Sequence, residues 1–420
     1  MRGAFPTHGL DGNMLRLFFA LLTVPALLFG ALTFDSNHQK EMTVLRTFDI
    51  DPSFLKDPLL NAVKAQKSAQ YQRQHFFEVM DEAYLFIPLI KQLLSESGVP
   101  AEFLFLAMAE SNFSTKAYSH KNASGLWQFM SDTGRLYGLR IDDYVDERRD
   151  LVKSTRAALR YLSYLHERFG KWYLAAIAYN CGEGRLSRAI TKAGSDDLAV
   201  LLDPKQRYIP RESRNYIRKI LALALLGTDE SYLVDREYDY LLNRANAYSL
   251  ATVTLPRGET LSRVAATINV PLSDLKKYNR HLKHDFTPPY AERYEVYIPY
   301  VKLADFKQRY TPAPLQTLYL VHTVKSGDNL SLLGKRYGVS YRAIMDFNRL
   351  KSDRLSLKQQ LIIPVAKDFV PASDRRYTVK AGDTLGSIAQ EFRVSIRQLK
   401  RLNHLESNVI RIGEKLSLYD

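Results

Sequence analysis

The last third of the chain repeats itself without a gap. Thr323-Val324-Lys325-Ser326-Gly327-Asp328-Asn329-Leu330 aligns with Thr378-Val379-Lys380-Ala381-Gly382-Asp383-Thr384-Leu385 at an offset of 55 residues. The same offset pairs Val339-Ser340 with Val394-Ser395, Asn348 with Asn403 and Leu361 with Leu416. Such a repeat commits each copy to fold around its own few apolar residues, so one large core cannot run through this part of the chain. A fainter copy begins at Thr252, with Gly258-Glu259-Thr260-Leu261, Val270, Asn279 and Ile298-Pro299. Each copy reads as a short strand, two short helices and a return strand, with Asp328 or Asp383 placed to cap the first helix and Ser340 or Ser395 the second. The spacers Thr311-Pro312-Ala313-Pro314 and Val370-Pro371-Ala372-Ser373 fall between copies. Units over 250–300, 319–365 and 376–420 are therefore expected.

The remainder of the 420 residues has another character. Residues 35–74 read as a polar stem with helical tendency. Helical patterns with end signals then run over Val79–Ser97 stopped by Gly98, Pro100–Glu110 opened by proline, Leu151–Phe169 stopped by Gly170, Tyr173–Asn180, and Arg211–Leu226 stopped by Gly227. Strand-like alternation is scarce here. The expected fold is multidomain: a mainly α-helical domain over 75–235, then the small α+β units.

Within that helical domain Glu110 ends an amphipathic helix. Leu106 and Phe103 lie four and seven residues before it and Ala107 three before, so the acid shares the apolar face. Apolar surroundings disfavour the ionised form, which raises the pKa toward the value a general acid needs near neutrality. A buried glutamate satisfied by a structural partner is the other reading. Around it stand Glu110-Ser111, then Gly125-Leu126-Trp127-Gln128, then Ala178-Tyr179-Asn180. This ordered set resembles the lytic transglycosylases of the lysozyme-like superfamily, in particular the membrane-bound murein transglycosylase D type. The strand-helix-helix-strand repeats resemble the LysM module, which binds glycans containing N-acetylglucosamine.

Glycosidic cleavage usually needs two carboxylates. Only Glu110 stands out, and Asp132 reads as an exposed loop residue. The resemblance resolves this by taking the nucleophile from the substrate: Glu110 would protonate the oxygen between N-acetylmuramic acid and N-acetylglucosamine, then remove the proton of the muramyl C6 hydroxyl as it closes onto C1. By motif position it implies Ser111, Ser119 and Gln128 as polar substrate contacts, and Tyr179 and Asn180 as the pair orienting sugar and intermediate. Pro210-Arg211-Glu212-Ser213-Arg214-Asn215-Tyr216 resembles the family's Glu-(Thr or Ser)-x-x-Tyr helix start, so Glu212 and Tyr216 join the set. An acid favoured by the helix N-terminus is the alternative for Glu212. Trp127 and Phe129 fit either the core or the cleft wall. In the repeats, Gly327, Asp328, Asn329, Gly382, Asp383 and Thr384 are the implied glycan-binding positions. Two departures are Thr115, where the family commonly has proline, and Asn122, where it has glycine; asparagine tolerates left-handed backbone.

Charge and composition add the partners. Residues 252–420 hold 28 Lys+Arg against 16 Asp+Glu, a surplus of 12 within the chain's net +14. A basic tail suits a polyanion: nucleic acid, anionic lipid or an anionic wall polymer. Residues 384–401 could be drawn as a DNA-binding helix-turn-helix ending at Lys400 and Arg401, but flanking strands and the helical domain's resemblance argue for glycan, and nucleic acid is not expected. A goose-type lysozyme using water is the second alternative. The nine histidines show no paired ligand spacing and no glycine-rich phosphate loop follows a strand, so neither metal nor cofactor is expected. The single Cys181 permits no internal disulfide and reads as a small packed residue.

Leu17–Phe34 carries no charge between Arg16 and Asp35, enough for a marginal membrane span or a secretory signal. Leu28 and Phe29 spoil the cleavage site around Gly30, Ala31 and Thr33, so 1–34 is read as an uncleaved anchor, although Met14 could be the start of a more compact signal-like segment. Arg2 and Arg16 then place the rest on the periplasmic side, in the cell envelope, where peptidoglycan strands are the expected partner.

Overall fold

The computed structural model describes residues 37–73, 86–228, 250–312, 314, 316–369, 376–392 and 394–418. The chain divides into two compact units: Met1–Ala251 with Lys277–His281 and Tyr297–Leu303, and the residues that remain. The proposed anchor lies outside the described residues, among which no helix is long and apolar enough to cross a membrane.

The first unit is helical. Its elements are α1 (37–47), α2 (Pro58–Arg73), α3 (Ile87–Ser97), α4 (Leu104–Ser111), α5 (Ser131–Leu136), α6 (Leu151–Phe169), α7 (Trp172–Cys181), α8 (Glu183–Ala193), α9 (Leu198–Leu201) and α10 (Arg211–Thr228). Gly98 and Gly170 end α3 and α6 in the left-handed region, at φ 71° and 75°. Asp150 opens α6 by accepting the Lys153 amide. It also accepts from the Tyr297 hydroxyl at 2.7 Å, which ties Tyr297 into this unit.

Three details differ from the sequence reading. First, α4 is not amphipathic: Leu104 to Ala109 are all buried, because the helix runs through the middle of the core, and a 3-10 turn Ala101–Phe103 separates it from Pro100. Second, Gly227 does not stop α10, which continues to Thr228. A Cβ there would lie 2.2 Å from the Phe105 ring, so glycine is required for close packing of α10 on α4. Third, residues 37–73 do not stand apart as a stem. Val44, Leu45, Phe48, Ile50 and Leu60 are buried in the same core as α4, α6, α7 and α10. The Phe48 ring lies 5.2 Å from that of Phe103, the Tyr173 amide donates to the Phe48 carbonyl, and Asp57 pairs with the guanidinium of Arg218 at 3.0 Å.

The repeats form small modules, each a two-stranded sheet with two helices between the strands. The pairs are β1 (Leu250–Pro256) with β2 (Arg293–Pro299), β3 (Thr317–Thr323) with β4 (Gln360–Ala366), and β5 (Arg376–Thr378) with β6 (Lys415–Ser417). The second and third modules have separate cores, around Leu333, Ile344 and Leu361, and around Ile388, Leu399 and Leu416. The expected architecture of a helical domain followed by βααβ modules is what the chain adopts.

One asparagine per module clamps the return strand. Asn348 donates to the Ile362 carbonyl and accepts its amide, both at 2.7 Å; Asn403 does the same with Ser417, at 2.7 and 2.6 Å, and Asn279 with Tyr297, at 2.7 and 2.8 Å. Capping is shifted by one residue from expectation. Asn329 and Thr384 cap the first helices, whereas Asp328 and Asp383 turn inward to accept the Lys325 and Lys380 amides and a partner on the preceding strand, His322 or Tyr377. Ser340 and Ser395 cap the second helices as read. Asn403→Ala should remove the clamp and cost its module about 2 kcal/mol. Hydrogen exchange checks this: protection at the Ser417 amide should collapse while that of α4 is unchanged.

Candidate active site

Glu110 sits in the last turn of α4, near the negative end of the helix, where an anion is disfavoured. The residue keeps some exposed surface, but burial of its carboxyl group raises its pKa to about 7. The Tyr216 hydroxyl, from α10, donates to Glu110 Oε1 at 2.5 Å. That bond and the charge of Lys219 pull the value down; Glu212 pushes it slightly up. Tyr179 and Tyr216 are themselves driven well above the usual phenol range by burial and by Glu110, so both hydroxyls stay protonated donors.

Three segments build the surroundings. The turn after α4 puts Asn112 and Phe113 at φ 50° and 61°, and Ser111 Oγ donates to the Leu126 carbonyl at 2.8 Å, joining that turn to the Gly125–Gln128 loop. In that loop Gln128 adopts φ 48° and its amide donates to the Gly125 carbonyl. Trp127 is fully buried and donates to Thr155 Oγ1 at 2.9 Å, and Phe129 is buried as well, so both belong to the core. On α7, the Tyr179 hydroxyl donates to the Trp127 carbonyl at 2.8 Å, which fixes the loop against the helix. Asn180 Oδ1 accepts from Ser213 Oγ at 2.7 Å.

The positions read from sequence thus separate. Glu110, Tyr216 and Tyr179 form one electrostatically linked group. Ser111, Gln128 and Asn180 line the segments around it with defined bonds. Ser119 accepts the Ala123 amide and shapes the 119–123 turn, while Glu212 is exposed, with 71 % of its side chain accessible, and pairs with Lys121 at 3.6 Å. Asp132 is fully exposed beside Arg135. Cys181 is half-buried, and burial pushes its thiol up, away from thiolate chemistry.

Several participants carry no sequence signal of their own. Arg148 is buried, holds Asp146 through two nitrogens and donates to the carbonyls of Asn122 and Phe129, so one guanidinium fastens both ends of the loop. Ser213 orients Asn180. Lys219 donates to the Ala109 carbonyl, directly before the acid. For Lys219 alone the spacing on α10 offers a hint: Glu212, Tyr216 and Lys219 recur at helical intervals.

Comparison with known proteins bears on the family of the chain. The Transglycosylase SLT domain family matches residues 88–201, the LysM domain family matches 322–364 and 377–418, and the family described as "Lytic transglycosylase MltD, LysM-like domain" matches 249–314. Membrane-bound lytic murein transglycosylase D of Escherichia coli K12 is 30% identical over 394 residues, covering 87% of this chain and 85% of that protein. The chain belongs to the membrane-bound lytic murein transglycosylase D family. Lytic transglycosylase activity on the cell wall goes with that membership. A putative tributyltin chloride resistance protein of an Alteromonas species is 42% identical over 111 residues, 26% of this chain and 53% of its own. Among solved structures, the 70 kDa soluble lytic transglycosylase of Escherichia coli aligns over 37% of this chain and 25% of its own, with 24% identity and a TM-score of 0.28.

Proposed function

We propose that the chain is a peptidoglycan lytic transglycosylase in which Glu110 is both acid and base. About half protonated at neutral pH, Glu110 in its acid form gives its proton to the oxygen linking N-acetylmuramic acid to N-acetylglucosamine. As carboxylate it then takes the C6 hydroxyl proton while that oxygen bonds to C1. The product carries a 1,6-anhydro end, and Glu110 regains its proton without consuming water. The carrying observation is one enclosed carboxyl group with a pKa near neutrality, while Glu212 and Asp132 lie exposed. Acid-base help of this kind supplies about 10²–10⁴-fold, and holding the C6 hydroxyl in attacking geometry adds the advantage of an intramolecular reaction.

In this reading Gln128, Asn180, Ser111 and Ser119 present polar groups to the sugars, and Tyr216 and Tyr179 hold the acid and its loop. The tight turns at Gly327–Asn329 and Gly382–Thr384 offer backbone to glycan, with Asp328 and Asp383 locking each turn from within. Residues 17–34 would hold the enzyme on the periplasmic face of the membrane. Mass spectrometry of products from purified sacculi tests the chemistry. The released muropeptides should be lighter by one water than those a muramidase makes. Fully hydrated reducing ends would instead select the goose-type hydrolase.

A further inference from the structure

Lys219 is a half-buried cation without an obvious structural purpose. It lies one turn beyond Tyr216 on α10, its side chain reaches across to α4, and its ammonium group donates to the Ala109 carbonyl. Burial, and Lys67 on α2, both lower its pKa, so keeping it charged here is costly. Glu110 is the carboxylate whose charge opposes that cost. A structural hydrogen bond to one carbonyl could be made by a neutral side chain. A cation offers more in this position, because the carbonyls at the end of α4 present negative potential to a carboxylate.

We propose that Lys219 is the positioning residue that lets Glu110 serve as base after it has served as acid. The inference rests on the two-step reading above. Once Glu110 has given its proton to the leaving oxygen, a carboxylate must persist in a poorly solvated site until the C6 hydroxyl closes onto C1. The Lys219 ammonium group, fixed on the neighbouring carbonyl, offsets that charge throughout. The other titratable groups facing Glu110 are Tyr216 and Glu212 on α10 and Tyr179 on α7; the two tyrosines remain neutral donors and Glu212 opposes the carboxylate, so Lys219 supplies the opposite charge. Lys67, beside Gln70, faces Lys219 and not the acid.

The test compares Lys219→Gln, which keeps a donor for the Ala109 carbonyl but loses the charge, with Lys219→Arg, which keeps the charge. The full chain is assayed for anhydromuropeptide release from pH 5 to 9, with thermal unfolding of each variant as a control. In the wild type, activity falls as pH rises through the pKa of Glu110. Lys219→Gln should move that alkaline limb up by about one pH unit and lower kcat about tenfold with KM unchanged. Lys219→Arg should restore both. A Lys219→Gln profile superimposable on the wild type overturns the proposal, as does an equal fall in both variants at every pH with the limb unmoved, which marks a purely structural residue. If Lys219→Gln does not fold, a wild-type limb and rate in Lys219→Arg support the proposal, and a displaced limb overturns it. Failure of the underlying reading is separate, since it shows as hydrated products from the wild type.

Discussion

Glu110→Gln should abolish nearly all turnover and leave a protein that is more stable above neutral pH. Glutamine keeps the shape and can still accept from Tyr216, but it has no proton to give, so release of anhydromuropeptides from sacculi should fall by at least about 10²–10⁴-fold. The stability effect follows from the raised pKa. Unfolded, Glu110 titrates near 4.5; folded, at about 7. The native state binds the proton more tightly, so its full stability is present below pH 4.5 and is lost as pH rises through 7. The cost of holding the ionised carboxylate at pH 8 is on the order of 3 kcal/mol. The variant should therefore match the wild type near pH 4.5 and exceed it at pH 8, as thermal unfolding at both pH values would show. Near-normal release by a folded variant would falsify the assignment and turn attention to Glu212 and Asp132.

The second large effect belongs to Gly125→Ala. Gly125 adopts φ 81°, and a Cβ on it would stand 1.8 Å from the Arg148 carbonyl oxygen and 2.6 Å from its carbon. Those are backbone atoms of the residue whose guanidinium fastens the same loop, so neither side can yield without breaking the bonds to Asn122 and Phe129. Left-handed strain adds about 1–2 kcal/mol. A loss of about 4 kcal/mol or more is expected, enough to lower the melting temperature by about 10 °C, with activity lost as Gln128 is displaced. Gly184→Ala is the control. It lies within α8, its Cβ would meet nothing nearer than a mobile Arg188 nitrogen at 3.6 Å, and it should be neutral or slightly stabilising. Equal melting temperatures for Gly125→Ala and Gly184→Ala would rule out the packing argument.

What could be read from the sequence followed from local rules. The glycine stops at Gly98 and Gly170, the serine caps and the repeat all depend on residues a few positions apart. The misses are of two kinds. Some are contacts between segments distant in sequence: Lys219 reaches Ala109 across 110 residues, and Ser213 reaches Asn180 across 33. No spacing rule links such pairs. Others turn on adjacent residues that compete for one role. Asp328 and Asn329 can both cap a helix, and only the backbone conformation decides that Asn329 does so while Asp328 locks the turn. Gly227 belongs to the first kind, since a glycine near a helix end reads as a stop unless the distant Phe105 ring that faces it is known.

The burial of Val44, Leu45, Phe48, Ile50 and Leu60 bears on how this chain can change length over evolution. A stem tolerates insertions, because nothing depends on its register. Here an added residue between Val44 and Leu60 would turn apolar side chains out of the core and pull Asp57 away from Arg218, on the same helix that presents Tyr216 to the acid. Freedom to lengthen or shorten therefore shifts to the proline-bearing spacers at Thr311–Pro314 and Val370–Ser373. Descendants of this chain would alter the reach of their C-terminal modules there, and leave the segment before the acid at fixed length.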